Sequence, residues 1–509
     1  MKKKIIYSSI LNKETSFFIE YLNKHYDWEP VVMIIDDHLL NHYKKIFPNT
    51  IFLNSMKMRQ NNFDYTAIKK FIAIDKKIIE QLSINQSNYL SWLEDTTGWN
   101  FSHKQRKEFY YQNLNFFNSL LNNLNIDLFI SFTWPHVSCD YALYLMCKKI
   151  FKIPVLFYDV IPFFDNQSRL IHSSYENMSE TINLFYKKTN KRKHLSKEVV
   201  EYLNNIKSKA PKSHSNIINF YNSNKLTLSE IFRDFMKLIK IIIFFQFNKK
   251  SQLAFKKNAL EFNQQSQLTL AEYIFFKYRV AFNNFKLKIN YLNLCDKFNY
   301  KEKYIYYPGP YQPEAMSNLV PGVFEDCFVV LDMIKSTIPK GWKVFYKEHP
   351  ATFSSKSKGS LEKNMIFYKK LKQKYSFLKI LPHNTNAFTL IDNSQCVMTA
   401  GGTSGWEAII RGKPCILFGT IWYEHCNSVF RIETLNDLNT VFSEILSGKT
   451  PLKEDVDFFV ECLFMALSKN SEFLNTKQFN KKKFEEYMKS LPYLAKDLDL
   501  VFKEIYEKK

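Results

Sequence analysis

The sequence predicts an α/β fold of two Rossmann-like domains facing each other across a cleft, with a helical insertion between them. Three observations carry this. Short runs of β-branched and aromatic residues alternate with amphipathic helical stretches in both halves of the chain. A polar stretch rich in lysine and asparagine separates those halves. The length, 509 residues, is enough for two or three domains with cores of their own.

In order, KKIIYSS reads as a first strand and TSFFIEYLNKHY as a helix. WEPVVMIIDD reads as a second strand ending in Asp36 and Asp37, and TIFLNS as a third. Tyr65 to Leu124 has apolar residues at three- and four-residue steps, a mostly helical pattern. A βαβ unit follows: IDLFISF, the loop TWPHVS, the helix CDYALYLMCKKIF and the strand KIPVLFYDV. Alternation of this kind predicts a parallel sheet covered by helices. Ser173 to Asn299 is helical or loop-like, with the basic run KKTNKRKHLSK and a lysine-flanked apolar helix at 231–250. That helix reads as core packing or as a helix lying on a membrane surface.

From Lys303 the alternation returns, with strands YIYYP, WKVFYKEHP, LKILP, QCVMTA and KPCILFG separated by helices. The C-terminal stretch is charged and helical, and reads as returning to pack across the first domain. The expected organisation is an acceptor domain at 1–172, a lysine-rich insertion at 173–299, a nucleotide-donor domain at 300–470 and a terminal helical segment at 471–509.

The formal net charge is +22. Lysine-rich, asparagine-rich composition also arises from an A/T-biased genome, so a solvated basic surface explains much of it. The remainder favours anionic partners: nucleotide phosphates, acidic glycans or a membrane surface. No zinc-finger, RNP or basic-zipper pattern is present, so a nucleic-acid partner is not expected. The eight cysteines form no C-x-x-C pair and sit mostly in apolar runs, which predicts reduced thiols and a cytoplasmic protein. The N-terminus has too short an apolar run for a signal peptide, and no run approaches a membrane span. No metal site is expected, because the histidines lack ligand spacing.

Three strand ends carry the candidate chemistry, since ligands bind at the carboxyl ends of strands in open α/β sheets. In GGTSG, Gly401 and Gly402 allow close backbone approach. Thr403 and Ser404 offer hydroxyls at the start of a helix near Gly405, and Glu407 is placed to meet ribose hydroxyls. An ordinary strand–turn–helix with a hydroxyl cap has the same sequence. In YKEHP, Lys347 and His349 alternate along a strand and are expected on one face, with Pro350 turning the chain. A cation and an imidazole there suit a departing phosphate, and an exposed edge pair would read alike. In YQPEAMS, Glu314 supplies a carboxylate for a nucleophile or base, or merely suits a helix dipole. His136 and Asp140 are candidates in the first half for acceptor binding or proton transfer.

The ordered set QPE, K-x-H-P and GGTSGWEA with GKPCILFG resembles the bacterial capsule polysaccharide and surface carbohydrate biosynthesis proteins, which include retaining transferases of the octulosonic acid Kdo. The resemblance is best over about Lys303–Gly419 and weaker over WPHVSCDYALYLMCKKIFKIPVLF. It implies a GT-B fold and a CMP-linked sugar donor, with no cofactor beyond that donor; the expected acceptor is a glycan or glycolipid, and the expected place of work is the cytoplasm or the cytoplasmic face of the inner membrane. It also implies that His349 and Pro350 meet the donor phosphate and that Gln312 matches the glutamine of a Q-x-x-x-D motif. Met316 stands where that motif has its Asp, and Glu314 is the nearest carboxylate. The reading is a metal-independent glycosyltransferase. The alternatives are a glycerophosphotransferase using CDP-glycerol and a non-catalytic partner of glycan assembly.

Overall fold

The computed structural model describes residues 2–59, 61–97, 102–135, 138–161, 168–189, 195–207, 225–244, 269–312, 314–475 and 480–508. It is an α/β molecule with two six-stranded sheets. The first contains β1 (Lys3–Ile10), β2 (Trp28–Ile35), β3 (Ile51–Asn54), β4 (Leu128–Ser131), β5 (Val155–Asp159) and β6 (Leu170–His172). The second contains β7 (Tyr304–Pro308), β8 (Lys343–Lys347), β9 (Leu378–Leu381), β10 (Cys396–Thr399), β11 (Cys415–Leu417) and β12 (Val429–Arg431).

The strand order is β3-β2-β1-β4-β5-β6 in the first sheet and β12-β11-β10-β7-β8-β9 in the second. Counted from each sheet's own first strand, both are 3-2-1-4-5-6, the doubly wound Rossmann order. All pairings are parallel except β5 with β6. Strands covered on both faces must be apolar on both, which is why LFIS, VLFYD, YIYY and CVMT are continuous buried runs. The order reverses between β1 and β4, and again between β7 and β10. In doubly wound sheets such a reversal is where a ligand crevice forms, at the carboxyl edge.

The C-terminal helix Lys481–Phe502 does pack on the first domain. Tyr487, Leu491, Leu494 and Leu498 share a buried cluster with Ile5, Tyr7 and Trp28. Fully burying each such side chain stabilises by about 1.5–3 kcal/mol. The described helices of the stretch 173–299 pack onto the neighbouring domains. Glu180–Lys188 and Lys197–Lys207 pack with Trp406, Ile409 and Phe459, and Tyr202 accepts a 2.6 Å hydrogen bond from the Trp406 indole. Leu270–Leu294 contributes Leu287 and Tyr291 to the core of the second sheet.

The loops at the two carboxyl edges meet. Leu319 and Val320, which follow β7, are buried in one cluster with Trp134, which follows β4. Thr420, which follows β11, donates to the Tyr175 carbonyl at 2.6 Å. Tyr175 in turn donates its hydroxyl to the Pro135 carbonyl at 3.0 Å.

Candidate functional site

The carboxyl ends of the adjacent strands β10, β7 and β8 carry most of the residues singled out from sequence. After β10 the chain turns through Gly401, at φ +151°, into the helix Ser404–Ile410. The Thr399 hydroxyl accepts from the N–H of Gly402 at 2.9 Å and of Gly401 at 3.3 Å, and the Tyr423 hydroxyl donates to the Gly402 carbonyl at 2.6 Å. The loop is thereby fixed before any ligand arrives. Thr403 occupies the cap position with helical backbone angles and its side chain makes no cap hydrogen bond. Neither the Thr403 nor the Ser404 hydroxyl bonds to a described residue, and both residues keep partial solvent access. Among the described residues they are donors without a committed acceptor.

Gly405 serves a different purpose. A Cβ there would lie 2.3 Å from the Tyr423 hydroxyl and 2.6 Å from Cys415 Sγ, so its missing side chain lets the helix seat on β11. Glu407, expected at the ribose, is instead buried beneath the helix. Burial pushes its carboxyl up to about 8, opposed by Lys347 and Arg411.

Lys347 ends β8, and the strand does not continue to His349. The two therefore do not alternate along one strand: His349 instead caps the turn that follows, and Glu348 between them is buried. Glu348 is fully buried. It accepts from the hydroxyls of Tyr346 and Tyr368 at 2.7 Å each and of Thr352 at 3.0 Å, and from Lys363 Nζ at 3.0 Å. These donors hold its carboxyl below the usual range although burial alone would raise it. Lys347 is buried, and desolvation lowers it to about 8 while Glu407 and Glu348 act the other way. Its Nζ makes no hydrogen bond to a described residue.

His349 caps the turn Pro350–Phe353, its Nδ1 accepting from the Ala351 N–H at 3.2 Å. In the neutral ring the proton is then on Nε2, a donor. The ring packs against Tyr311, centroids 5.7 Å apart, so the loops after β7 and β8 touch. Lys363 ties them again, donating to the Pro310 carbonyl at 2.5 Å as well as to Glu348. Pro350 is exposed.

Gln312 is buried and turned into its own loop, donating to the carbonyls of Glu325 at 3.1 Å and Ser317 at 3.4 Å. Glu314 opens the short helix Ala315–Asn318, its N–H bonded to Asn318 Oδ1 at 3.0 Å. Glu314 is exposed, yet the protein around its carboxyl pushes it up to about 7. Because the residue is exposed, solvent moderates this upward shift.

At the first sheet's crevice, Asp140 is buried and accepts from the Ser9 hydroxyl at 2.9 Å. Burial raises its carboxyl, opposed by Arg59. The Arg59 guanidinium, which sequence reasoning passed over, is buried and bonds to no described residue. His136 lies outside the described residues.

Residues 316–426 match the family model of the capsule polysaccharide biosynthesis proteins, so the resemblance to that family holds over the span from the β7 loop to the β11 loop. No curated protein matches the chain. Among solved structures, the UDP-GlcNAc 2-epimerase of Methanocaldococcus jannaschii aligns at 13% identity over 91% of this chain and 100% of its own, with a TM-score of 0.24. Its complex with UDP-GlcNAc and UDP aligns at 14% identity over 91% and 100%, with a TM-score of 0.23. A trehalose-6-phosphate synthase structure aligns at 8% identity over 96% and 99%, with a TM-score of 0.27.

Proposed function

We propose that this chain is a glycosyltransferase that takes a sugar from a nucleotide donor, a CMP-linked one, to build a bacterial surface polysaccharide. The observation that carries the reading is the convergence at the second crevice. Because β10, β7 and β8 are adjacent parallel strands, the loop with the Thr403 and Ser404 hydroxyls, the loop with Glu314, and Lys347 with the turn-capping His349 all leave the same edge of the sheet, largely within the span that matches the capsule family.

In this reading the donor phosphate takes hydrogen bonds from Thr403 and Ser404 and from Nε2–H of His349, while Lys347 supplies positive charge from beneath. Breaking the glycosidic bond places negative charge on that phosphate, and donors fixed in advance stabilise it as it develops. Glu314 accepts the proton of the attacking acceptor hydroxyl. A carboxyl raised toward 7 suits proton transfer at neutral pH better than it suits a nucleophile, which must be ionised. The acceptor, a glycan or glycolipid, enters from the first sheet's crevice, where Asp140 and Arg59 stand.

The test is nucleotide release from CMP-sugar, UDP-sugar and CDP-glycerol donors. The reading expects release from a CMP-sugar, lowered about 100-fold or more in Glu314→Gln and in His349→Ala. Release from CDP-glycerol alone would move the chain to the glycerophosphotransferases. Full activity in both variants would remove the assigned roles.

A further inference from the structure

In a globular protein an amphipathic helix turns its apolar stripe inward. The helix Leu228–Ile243 does the reverse. Leu228, Phe232, Phe235 and Ile242 recur at three-, four- and seven-residue steps along one side, and each is at least 58% exposed. The opposite side carries its polar anchors. Asp234 is buried and paired with Lys237 at 3.2 Å and with Lys277 at 2.8 Å. Glu230 pairs with Lys356 of the second domain at 2.9 Å, and the Leu226 N–H reaches Ser355 at 2.8 Å. These contacts fix which side faces out.

Lys277 belongs to the neighbouring helix, Leu270–Leu294, which repeats the arrangement. Asn284, Leu287 and Tyr291 face the second domain, while Phe275, Phe282 and Phe285 are each at least 61% exposed. The exposed basic side chains Arg233, Lys240, Arg279 and Lys286 are interleaved with these two stripes. Exposed aromatic patches of this extent mark an interaction surface.

We infer that the helices Leu228–Ile243 and Leu270–Leu294 form a docking face for an anionic phospholipid surface. Phenylalanines insert at the headgroup boundary while arginines and lysines meet the phosphates. At 16 and 25 residues the helices are about 24 and about 37 Å long. Among the described residues no helix is long and apolar enough to cross a membrane, so these lie in the interface plane. Charge decides between lipid and a second copy of the chain. Two copies joined through this face would bring like charges together, on a protein whose formal net charge is +22. An anionic surface neutralises them. The inference stands apart from the proposed chemistry and holds whatever the donor is.

The test is co-sedimentation with vesicles of phosphatidylcholine containing 30 mol% phosphatidylglycerol, against pure phosphatidylcholine, at about 150 mM salt, where bare surface charge is largely screened. The wild-type chain is expected to pellet with the anionic vesicles. The double variant Phe235→Glu with Phe282→Glu is expected to partition at least about 10-fold less. Both positions are exposed, so folding is retained, and an unchanged circular dichroism melt verifies that. Wild-type protein remaining in the supernatant overturns the inference. So does equal pelleting of wild type and variant, which would mean adsorption through lysines alone. A wild-type dimer that the double variant converts to a monomer, with no vesicle binding by either, assigns the face to self-association and also overturns it.

Discussion

Glu348 and Lys363 form a buried ion pair at 3.0 Å, and the same Lys363 amine holds the carbonyl of Pro310. One side chain thus joins the loop after β8, which carries His349, to the loop after β7, which carries Glu314. Removing one partner of such a pair leaves an uncompensated charge in the core, which costs about 3–5 kcal/mol. Lys363→Met is expected to show that loss in urea denaturation, and Glu348→Gln with Lys363→Met to recover a substantial part of it. Full stability in Lys363→Met would show that the pair does not hold the loops.

Gly405 gives a sharper packing test. A methyl group there meets the Tyr423 hydroxyl at 2.3 Å, and that hydroxyl is committed to Gly402. Gly405→Ala is expected to lower stability by about 1–3 kcal/mol. Adding Tyr423→Phe removes the closest obstructing atom and is expected to restore part of the melting temperature.

The hydroxyls of Thr403 and Ser404 separate binding from folding. They bond to no described residue, so Thr403→Val and Ser404→Ala are expected to change stability by less than about 0.5 kcal/mol. If they hold the donor phosphate, each loses roughly 10-fold in nucleotide affinity, the equivalent of about 1.4 kcal/mol. A matched loss of stability and affinity would make them structural.

The pH dependence follows from Lys347 and Glu407. Burial raises Glu407 from its ordinary 4.5 to about 8, so the folded state holds a proton there that the unfolded chain releases. The stability this adds is present below pH 4.5 and is lost as pH rises to about 8. Lys347 is lowered from 10.5 to about 8, so its burial penalty is relieved as pH rises from about 8 to 10.5. Glu407→Gln is therefore expected to flatten the decline in melting temperature between pH 5 and 8. Nucleotide affinity in the wild type is expected to fall as pH rises through about 8, where Lys347 loses its charge. An affinity unchanged between pH 7 and 9.5 would remove Lys347 from the phosphate site.

The strands were legible because each apolar β-branched or aromatic run stops at Pro, Gly or a polar turn, as YIYYP and KPCILFG do. Leu170–His172 and Val429–Arg431 were not, since three-residue edge strands leave no periodicity to detect. The turn at 401–403 and the His349–Pro350 turn were legible as strand-end turns, from their small residues and the proline. Glu348 was not, because a glutamate between a lysine and a histidine reads as solvent-facing. Only the fold brings it Tyr368, Thr352 and Lys363. Gly405 was read only as the start of the helix, and its packing against Tyr423 and Cys415 shows only in the fold. The amphipathicity of Leu228–Ile243 was visible in sequence. Its outward direction was set by Asp234 and Lys277, which no local pattern pairs.

The most direct test of the central claim, that the crevice between β7 and β10 binds a nucleotide, is calorimetric titration of CMP into the wild-type chain and into Thr403→Val with Ser404→Ala. The account predicts saturable binding to the wild type at one site, weakened by roughly 100-fold in the double variant if the two contributions add. No binding to the wild type, or equal binding to both proteins, would contradict it.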